Sequence, residues 1–334
     1  MYGEFELIDR IAALFQIPEG LTMGIGDDCA ILDPGRFDLV TTDTLVEGVH
    51  FRTDWSSASD IGWKAIAVCM SDIAAMGGGP GAFFLNLVLG PAVDETFVDL
   101  LLSGMRAACD ALTPDRFEVA VGGGDTCGSP GPSMVSITML GEASPAGPVL
   151  RSGALPGDRV VLLGETGGAA AGLALLAGEL DALAQDYPAL VEHHRRPHPR
   201  VKEGALLGLY GVPSAMIDVS DGLAQDLGHI LRRSNVGASI ETHNLPRHPE
   251  LVRLADNTGV DILPWILSGG DDYELLMVVP PARMTKLWDL ARRHDWNVFD
   301  IGEIRGSEEG LRVLGPDGAP VDVALHGFRH FEAP

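Results

Sequence analysis

The chain has 334 residues, 46% of them hydrophobic, enough for roughly two domains with cores of their own. Lys+Arg total 23 against Asp+Glu 47, and the formal net charge of -24 repels nucleic acid and anionic lipid, which excludes both as partners. Lysine occurs only at Lys64, Lys202 and Lys286, so a lysine-built phosphate cradle is disfavoured. Phosphate chemistry on such a chain calls for divalent cations, which neutralise carboxylate and phosphate together.

Residues 4–16 place Phe5, Ile8, Ile11, Ala12 and Phe15 on one face of a predicted helix. The apolar run and polar end of FDLVTTD (37–43) predict a strand feeding a loop. Residues 58–76 read as a helix opening near Ser59 and Asp60, 82–90 as a strand, 95–112 as a helix, and 117–123 and 133–143 as strands. Proline and glycine recur through SPAGPVLRSGALPG (144–157), a break in periodic structure. Beyond it, 158–165 opens a second set of elements. Residues 167–178 form a helix whose small residues suit close packing rather than a ligand loop. A strand at 214–220 precedes an amphipathic helix at 221–233, and strands at 273–280 and 296–303 flank a helix at 282–294. The expected class is α/β in the α+β sense, with two domains at 1–147 and 148–334. Cys29, Cys69, Cys109 and Cys127 form no C-x-x-C pair and lack a histidine at metal-ligand spacing, which disfavours structural zinc and a disulfide framework. The first fifteen residues carry acids where a secretion signal needs positive charge, and no apolar run nears the roughly 18 residues of a membrane span. The expected location is the cytoplasm.

Nucleotide motifs of the G-x-x-x-x-G-K-[ST] and G-x-G-x-x-G kinds are missing, as are a G-x-S-x-G elbow and an H-R-D loop. What recurs is aspartate beside glycine or at strand ends. GIGDDCAIL sets Asp27 and Asp28 after Gly24 and Gly26, acids that repel unless a cation sits between or beside them; taken alone, an ordinary Gly-Asp turn is the better reading of that pair. Thr41, Thr42 and Asp43 end a strand with the oxygen donors a hard cation prefers, although capping uses the same residues. His50 suits a phosphate contact or a turn cap. Asp72 sits in the apolar stretch IAVCMSDIAAM, where a carboxylate is costly unless paired or metal-bound. In GGGDTCG, three glycines after a strand let amides approach a phosphate, with Asp125 for its cation; a hairpin turn is the alternative. In MIDVSDGLAQDLGHI, Asp218 ends a strand while Ser220 and Asp221 flank a helix start, as caps or as holders of a metal-bound phosphate. SGGDDYELLMV sets Asp271, Asp272 and Glu274 after a glycine pair. The physical reading these junctions share is a site of carboxylates and Mg²⁺ that aligns phosphoryl transfer.

GEFELIDRI, GIGDDCAIL, TTDTLVEGVHF, SDIAAMGG, GGDT, LRSGALPGD, MIDVSDGLAQDL, SGGDDYEL and the terminal GFRHF together resemble the thiamine-monophosphate kinases, in order and spacing, from Gly3 to about Phe331. Several of the shorter motifs are shared with a superfamily that includes aminoimidazole ribonucleotide synthetase, selenophosphate synthetase and a hydrogenase maturation factor. The resemblance implies a two-domain aminoimidazole ribonucleotide synthetase-like fold, a β-barrel shared by the N-terminal domains of a homodimer, and ATP bound near that interface. It implies ATP as co-substrate, thiamine monophosphate as acceptor, several Mg²⁺ ions and K⁺ as a further cation. Carried over, Asp27, Thr41, Thr42, Asp43, Asp72, Asp125, Asp218 and Asp221 would hold Mg²⁺. Gly124, Arg151 and Ser220 would contact the nucleotide, and His50, Asp271 and Phe328 the thiamine phosphate, with the C-terminal domain completing the substrate site. No protein side chain is implied as a covalent or acid–base catalyst. The family pattern carries Glu where this chain has Asp271 and commonly Trp where it has Phe328; Arg151 has a second reading, tying down the interdomain loop. The alternatives are another ATP-dependent synthetase of the superfamily and a non-catalytic nucleotide- or metal-binding protein on the same fold.

Overall fold

The computed structural model describes residues 10, 14, 21–23, 31–32, 35–321 and 323. Almost all of the helix expected at 4–16 lies outside these residues, as do Asp27, Asp28 and Phe328. The chain divides into two compact units, Met1–Pro145 with Val201–Ala205, and Ala146–Arg200 with Leu206–Pro334. No helix among the described residues is long and apolar enough to cross a membrane.

The first unit carries a short two-stranded pair, β1 (Leu21–Met23) with β2 (Ile31–Leu32), and a four-stranded sheet of β3 (Leu39–Val46), β6 (Met134–Glu142), β4 (Gly79–Leu89) and β5 (Ala120–Gly128), in that order. β3–β6 and β6–β4 are antiparallel, and β4–β5 is parallel. Two helices pack together in this unit, α1 (Ala58–Ala75) and α2 (Glu95–Leu112). Each start is capped by its own sequence: Ser57 and Asp60 exchange a capping box, and Asp94 accepts from the Phe97 amide at 2.8 Å. The helices approach at glycines, since a Cβ on Gly62 would lie 2.0 Å from the Leu101 carbonyl oxygen and one on Gly104 2.0 Å from that of Ser59. Their inner faces, Ile61, Ile66, Ile73, Leu101 and Met105, are fully buried with Ile137 and Met139 of the sheet. The opposite sheet face carries Val40 at 70% exposure beside Thr42 and Asn86, and within the described chain the sheet does not close on itself.

One difference from the sequence expectation bears on the site. GGGDTCG is not a loop: Ala120–Gly128 continues as an edge strand beside β4. Gly124, at φ +155°, permits this, because a Cβ there would meet the Leu85 carbonyl oxygen at 1.8 Å.

The second unit holds a six-stranded sheet ordered β12 (Leu311–Leu314), β9 (Gly237–Glu241), β11 (Val298–Arg305), β7 (Arg159–Leu163), β10 (Glu274–Val279) and β8 (Ala215–Val219). Only β12–β9 is parallel. The helices are α3 (Gly168–Ala177), α4 (Pro188–Arg195), α5 (Val201–Tyr210, whose first residues belong to the first unit), α6 (Leu223–Ser234), α7 (Pro249–Thr258), α8 (Leu263–Ser268) and α9 (Pro281–His294). The core joins Val160, Leu162, Ile217, Leu227, Ile230, Leu276 and Ile301. β8 and β10 run antiparallel, pairing Asp218 with Leu275 and Val219 with Glu274, so the ends of both acidic segments meet at one edge of this sheet.

Candidate functional site

In the first unit, Leu39, Thr41, Asp43 and Leu45 alternate onto one side of β3, with Leu39 and Leu45 buried. The Thr41 hydroxyl donates to the Asp72 carboxylate from α1, and the Cys69 thiol donates to Asp43 Oδ2 at 3.4 Å. Burial first, and the Asp72 charge second, push the Asp43 carboxyl up to about 6. Burial and the same two acids hold the Cys69 thiol well above its ordinary range. Thr41, Asp43, Cys69 and Asp72 therefore form one half-buried group of oxygen donors with a thiol beneath it.

Thr42 and Asp125 do not join this group. Thr42 is on the other sheet face, where its hydroxyl accepts from that of Thr138 at 3.1 Å. Register places Asp125 in the row of Thr44, Ser136 and Asn86, on the same open face as Thr42. Gly124 shares the row of Asp43, Ile137 and Leu85, three strand spacings away, or about 14 Å. His50 Nδ1 accepts from the Val46 amide at 3.0 Å, which fixes this ring nitrogen as the unprotonated one and closes the turn after β3.

In the second unit, Asp218 is 3% exposed at the end of β8. Ser220 and Asp221 follow, and Gln225 Nε2 donates to Asp221 Oδ2 at 3.0 Å. Asp226, on the first turn of α6, is 2% exposed, and its Oδ2 accepts from the amides of Ser220, Asp221 and Gly222, each at 3.1 Å. Burial, then the Asp221 charge, hold its carboxyl up at about 7. One ligand atom each from Asp221, Asp226 and His229 lie within 4.8 Å of one another. Arg151 is exposed; burial first, then the Arg232 charge and after it that of Arg151, lower the His229 imidazole, and the Arg151 carbonyl accepts from the Ser234 hydroxyl at 3.4 Å.

The loop before β10 closes this corner. The Asp271 amide donates to the Ser220 carbonyl at 2.8 Å and the Tyr273 amide to that of Val219 at 2.7 Å. Asp271 and Tyr273 adopt φ +68° and +54°, left-handed conformations that cost a non-glycine residue about 1–2 kcal/mol each. Between them Asp272, 1% exposed, accepts from the Gly167 and Ala169 amides at 2.6 and 3.0 Å, with His193 Nε2 at 3.6 Å. Glu274, 3% exposed, forms a bidentate pair with Arg200 and accepts from the Glu165 amide at 3.2 Å. The Tyr273 hydroxyl donates to Asp271 Oδ1 at 3.0 Å, and His194 Nδ1 lies 3.9 Å from Asp271 Oδ2. Asp218, Ser220, Asp221 and Asp271 are thus brought together, with Arg151 beside α6.

The sequence reading passed over Asp226, Tyr273, His193, His194 and Arg200. For Asp226 there was a signal: an acid on the first turn of a helix that follows Ser-Asp-Gly is placed to cap backwards. The donor chemistry of both groups, carboxylates with hydroxyls and crowding that favours protonation, fits Mg²⁺, a hard cation that relieves repulsion between acids.

Sheet order, two α/β units and acids at strand ends define a two-domain protein of the kind described as AIR synthase related; that family's N-terminal domain matches residues 26–143 and its C-terminal domain residues 156–313. Within it, the chain belongs to the thiamine-monophosphate kinase family. It is 39% identical to the thiamine-monophosphate kinase of Salmonella typhimurium over 338 residues, 99% of each chain, and 34% identical to that of Bacillus subtilis over 335 residues, 98% of this chain and 99% of the relative. The crystal structure of thiamine-monophosphate kinase from Stenotrophomonas maltophilia superposes with a TM-score of 0.80 at 37% identity, covering 94% of this chain and 96% of that one. AaThiL complexed with AMPPCP and TMP gives 0.75 at 32% identity, over 98% and 97%. A hydrogenase maturation protein HypE, at 19% identity and a TM-score of 0.74, shares the fold.

Proposed function

We propose that this chain transfers the γ-phosphoryl group of ATP directly to the phosphate of thiamine monophosphate, giving ADP and thiamine diphosphate. The observation that carries the reading is identity of 39% along 99% of both chains to a kinase named for that substrate. In the step, the bond between the γ-phosphorus and the β,γ-bridging oxygen breaks as an acceptor phosphate oxygen forms the new P–O bond. A loose transition state of this kind asks for positioning and charge neutralisation rather than a covalent protein intermediate.

Mg²⁺, when bound, neutralises the phosphates of both substrates. In the first unit Thr41, Asp43 and Asp72 are its best-placed holders; Thr42 and Asp125 serve from the other sheet face, and Asp27 completes the acid set. In the second unit Asp218 and Asp221 hold cations, and Ser220 and Arg151 meet the nucleotide; in the first unit Gly124 is the nucleotide contact. His50 meets the acceptor phosphate, while Asp271 and Phe328 meet the thiamine moiety. Residues 1–147 carry the ATP and dimerisation functions and 148–334 the Asp218–Asp221 and Asp271 groups. The open face of the β3–β6–β4–β5 sheet, with Val40 exposed, supports a homodimer in which two such sheets close one barrel. K⁺ is a further cation of this reading, and the cytoplasm, where ATP is supplied, is its setting.

The test is ATP consumption with Mg²⁺ and one acceptor at a time. Turnover with thiamine monophosphate, and none with thiamine or formylglycinamidine ribonucleotide, is expected. Turnover with the ribonucleotide alone moves the chain to the synthetase branch, and ATP binding without turnover on any acceptor supports a non-catalytic binding protein.

A further inference from the structure

The turn between β8 and α6 is built around one oxygen. Three successive amides, those of Ser220, Asp221 and Gly222, converge on Asp226 Oδ2 at 3.1 Å each. Consecutive amides ahead of a helix are the arrangement with which a chain receives a phosphate oxygen. Here that position is filled from within. The turn is also closed behind: the Ser220 carbonyl accepts from the Asp271 amide, and a Cβ on Gly270 would lie 2.6 Å from the same oxygen. Gly222, at φ +124°, is packed so that a Cβ would come within 2.8 Å of the Ser268 backbone. With its amides committed inward, the turn is left to present the Ser220 hydroxyl and the Asp221 carboxylate, the latter steadied by Gln225.

We infer that Asp226 is the positioning residue of this turn: its carboxylate occupies the place of an anion in front of α6, so that this corner takes phosphate through a cation on Asp221 and not through backbone amides. The inference rests on the proposed role of Asp221 as a cation ligand.

Two readouts separate it from a purely structural role. The first uses inorganic phosphate in the presence of EDTA, read as a thermal shift. Wild type shows none attributable to this turn, whereas Asp226→Ala, with three amides released, gains a phosphate-dependent rise in Tm. The second uses Mn²⁺ alone, titrated by electron paramagnetic resonance without nucleotide. Asp226→Ala weakens the Asp221 site about tenfold, the scale on which supports of metal ligands act, while Asp226→Asn, which keeps an oxygen for the amides, stays within about threefold of wild type. A folded Asp226→Ala protein with unchanged Mn²⁺ affinity and no response to phosphate overturns the inference. Should Asp226→Ala not fold, Asp226→Asn decides: a loss as large as that of Asp221→Asn makes Asp226 a direct ligand and rejects the positioning role. If Asp221→Asn itself leaves Mn²⁺ binding intact, the cation reading of Asp221 fails, and the phosphate arm still tests whether Asp226 fills the anion position.

Discussion

Removing one charge from the Asp43–Asp72 pair is expected to stabilise the metal-free protein while weakening its response to magnesium. The Asp43 carboxyl is raised from 3.8 to about 6, by burial first and by the Asp72 charge second. A folded-state value above the unfolded one means that the protonated form is favoured on folding. The corresponding stability is fully present below pH 3.8 and is lost as pH rises through about 6. The whole displacement corresponds to roughly 3 kcal/mol. Because burial outranks Asp72 as its cause, the share that Asp72→Asn recovers at neutral pH is about 1 kcal/mol, or about 2–4 °C in Tm for a unit of this size. Asparagine keeps an oxygen to accept the Thr41 hydroxyl, so that contact is not what the substitution removes. The assay is thermal unfolding from about pH 5 to about pH 8, with EDTA and with Mg²⁺, for wild type and Asp72→Asn. Wild type should lose Tm toward high pH in EDTA and regain it with Mg²⁺. Asp72→Asn should show a flatter profile, little gain from Mg²⁺ and no turnover. A variant less stable than wild type at about pH 8 without metal, or one stabilised by Mg²⁺ as much as wild type, refutes the reasoning.

Two further substitutions address the second unit. Tyr273→Phe removes the hydroxyl that donates to Asp271 Oδ1; a lost part-buried hydrogen bond to a carboxylate, about 1 kcal/mol, should raise KM for thiamine monophosphate about fivefold with KM for ATP unchanged, as read by steady-state kinetics. Arg200→Ala leaves Glu274 buried at 3% exposure without its bidentate partner and should destabilise the protein by about 3–5 kcal/mol in urea unfolding; a loss below about 1 kcal/mol would refute the role of this pair in holding the fold.

Much of the fold was legible because long periodic segments announce themselves. The helices at 58–75 and 95–112 and the strands at 134–142, 159–163, 215–219 and 274–279 fall within the predicted segments. What was passed over is short or weakly patterned: α4, α7 and α8 have six to ten residues and open with a proline at the first or second position, which reads as a breaker when met in sequence. The glycine run at 122–124 concealed an edge strand, because glycine signals a turn unless the partner strand is known to approach closely. The same mistake of element misled at Thr42. Once 39–46 is one strand, adjacent threonines face opposite ways, and only Thr41 can reach Asp72. Acids at strand ends could be read as chemistry, but their partners come from distant segments. His194 beside Asp271, Arg200 on Glu274 and Gly167 on Asp272 are facts of the fold alone.

The chain's acidity takes on a more specific meaning in the second unit. Asp226 accepts the amides of 220–222, Asp272 those of Gly167 and Ala169 at the start of α3, and Glu274 that of Glu165. In each case a glycine-containing turn that offers backbone donors to an anion is satisfied by a buried carboxylate of the same chain. A protein that binds phosphate through its amides must leave such turns open to solvent, and then needs little more than the dipole of the following helix. Here the amides are spent on folding, and lysine, the usual supplement, occurs three times in 334 residues. What remains at the 220–222 turn is the Asp221 carboxylate beside the Ser220 hydroxyl, and a carboxylate repels a bare phosphate and attracts one only when a cation arrives with it. On the proposed reading, dependence on a divalent ion would follow from how these turns are hydrogen-bonded, as well as from the net charge.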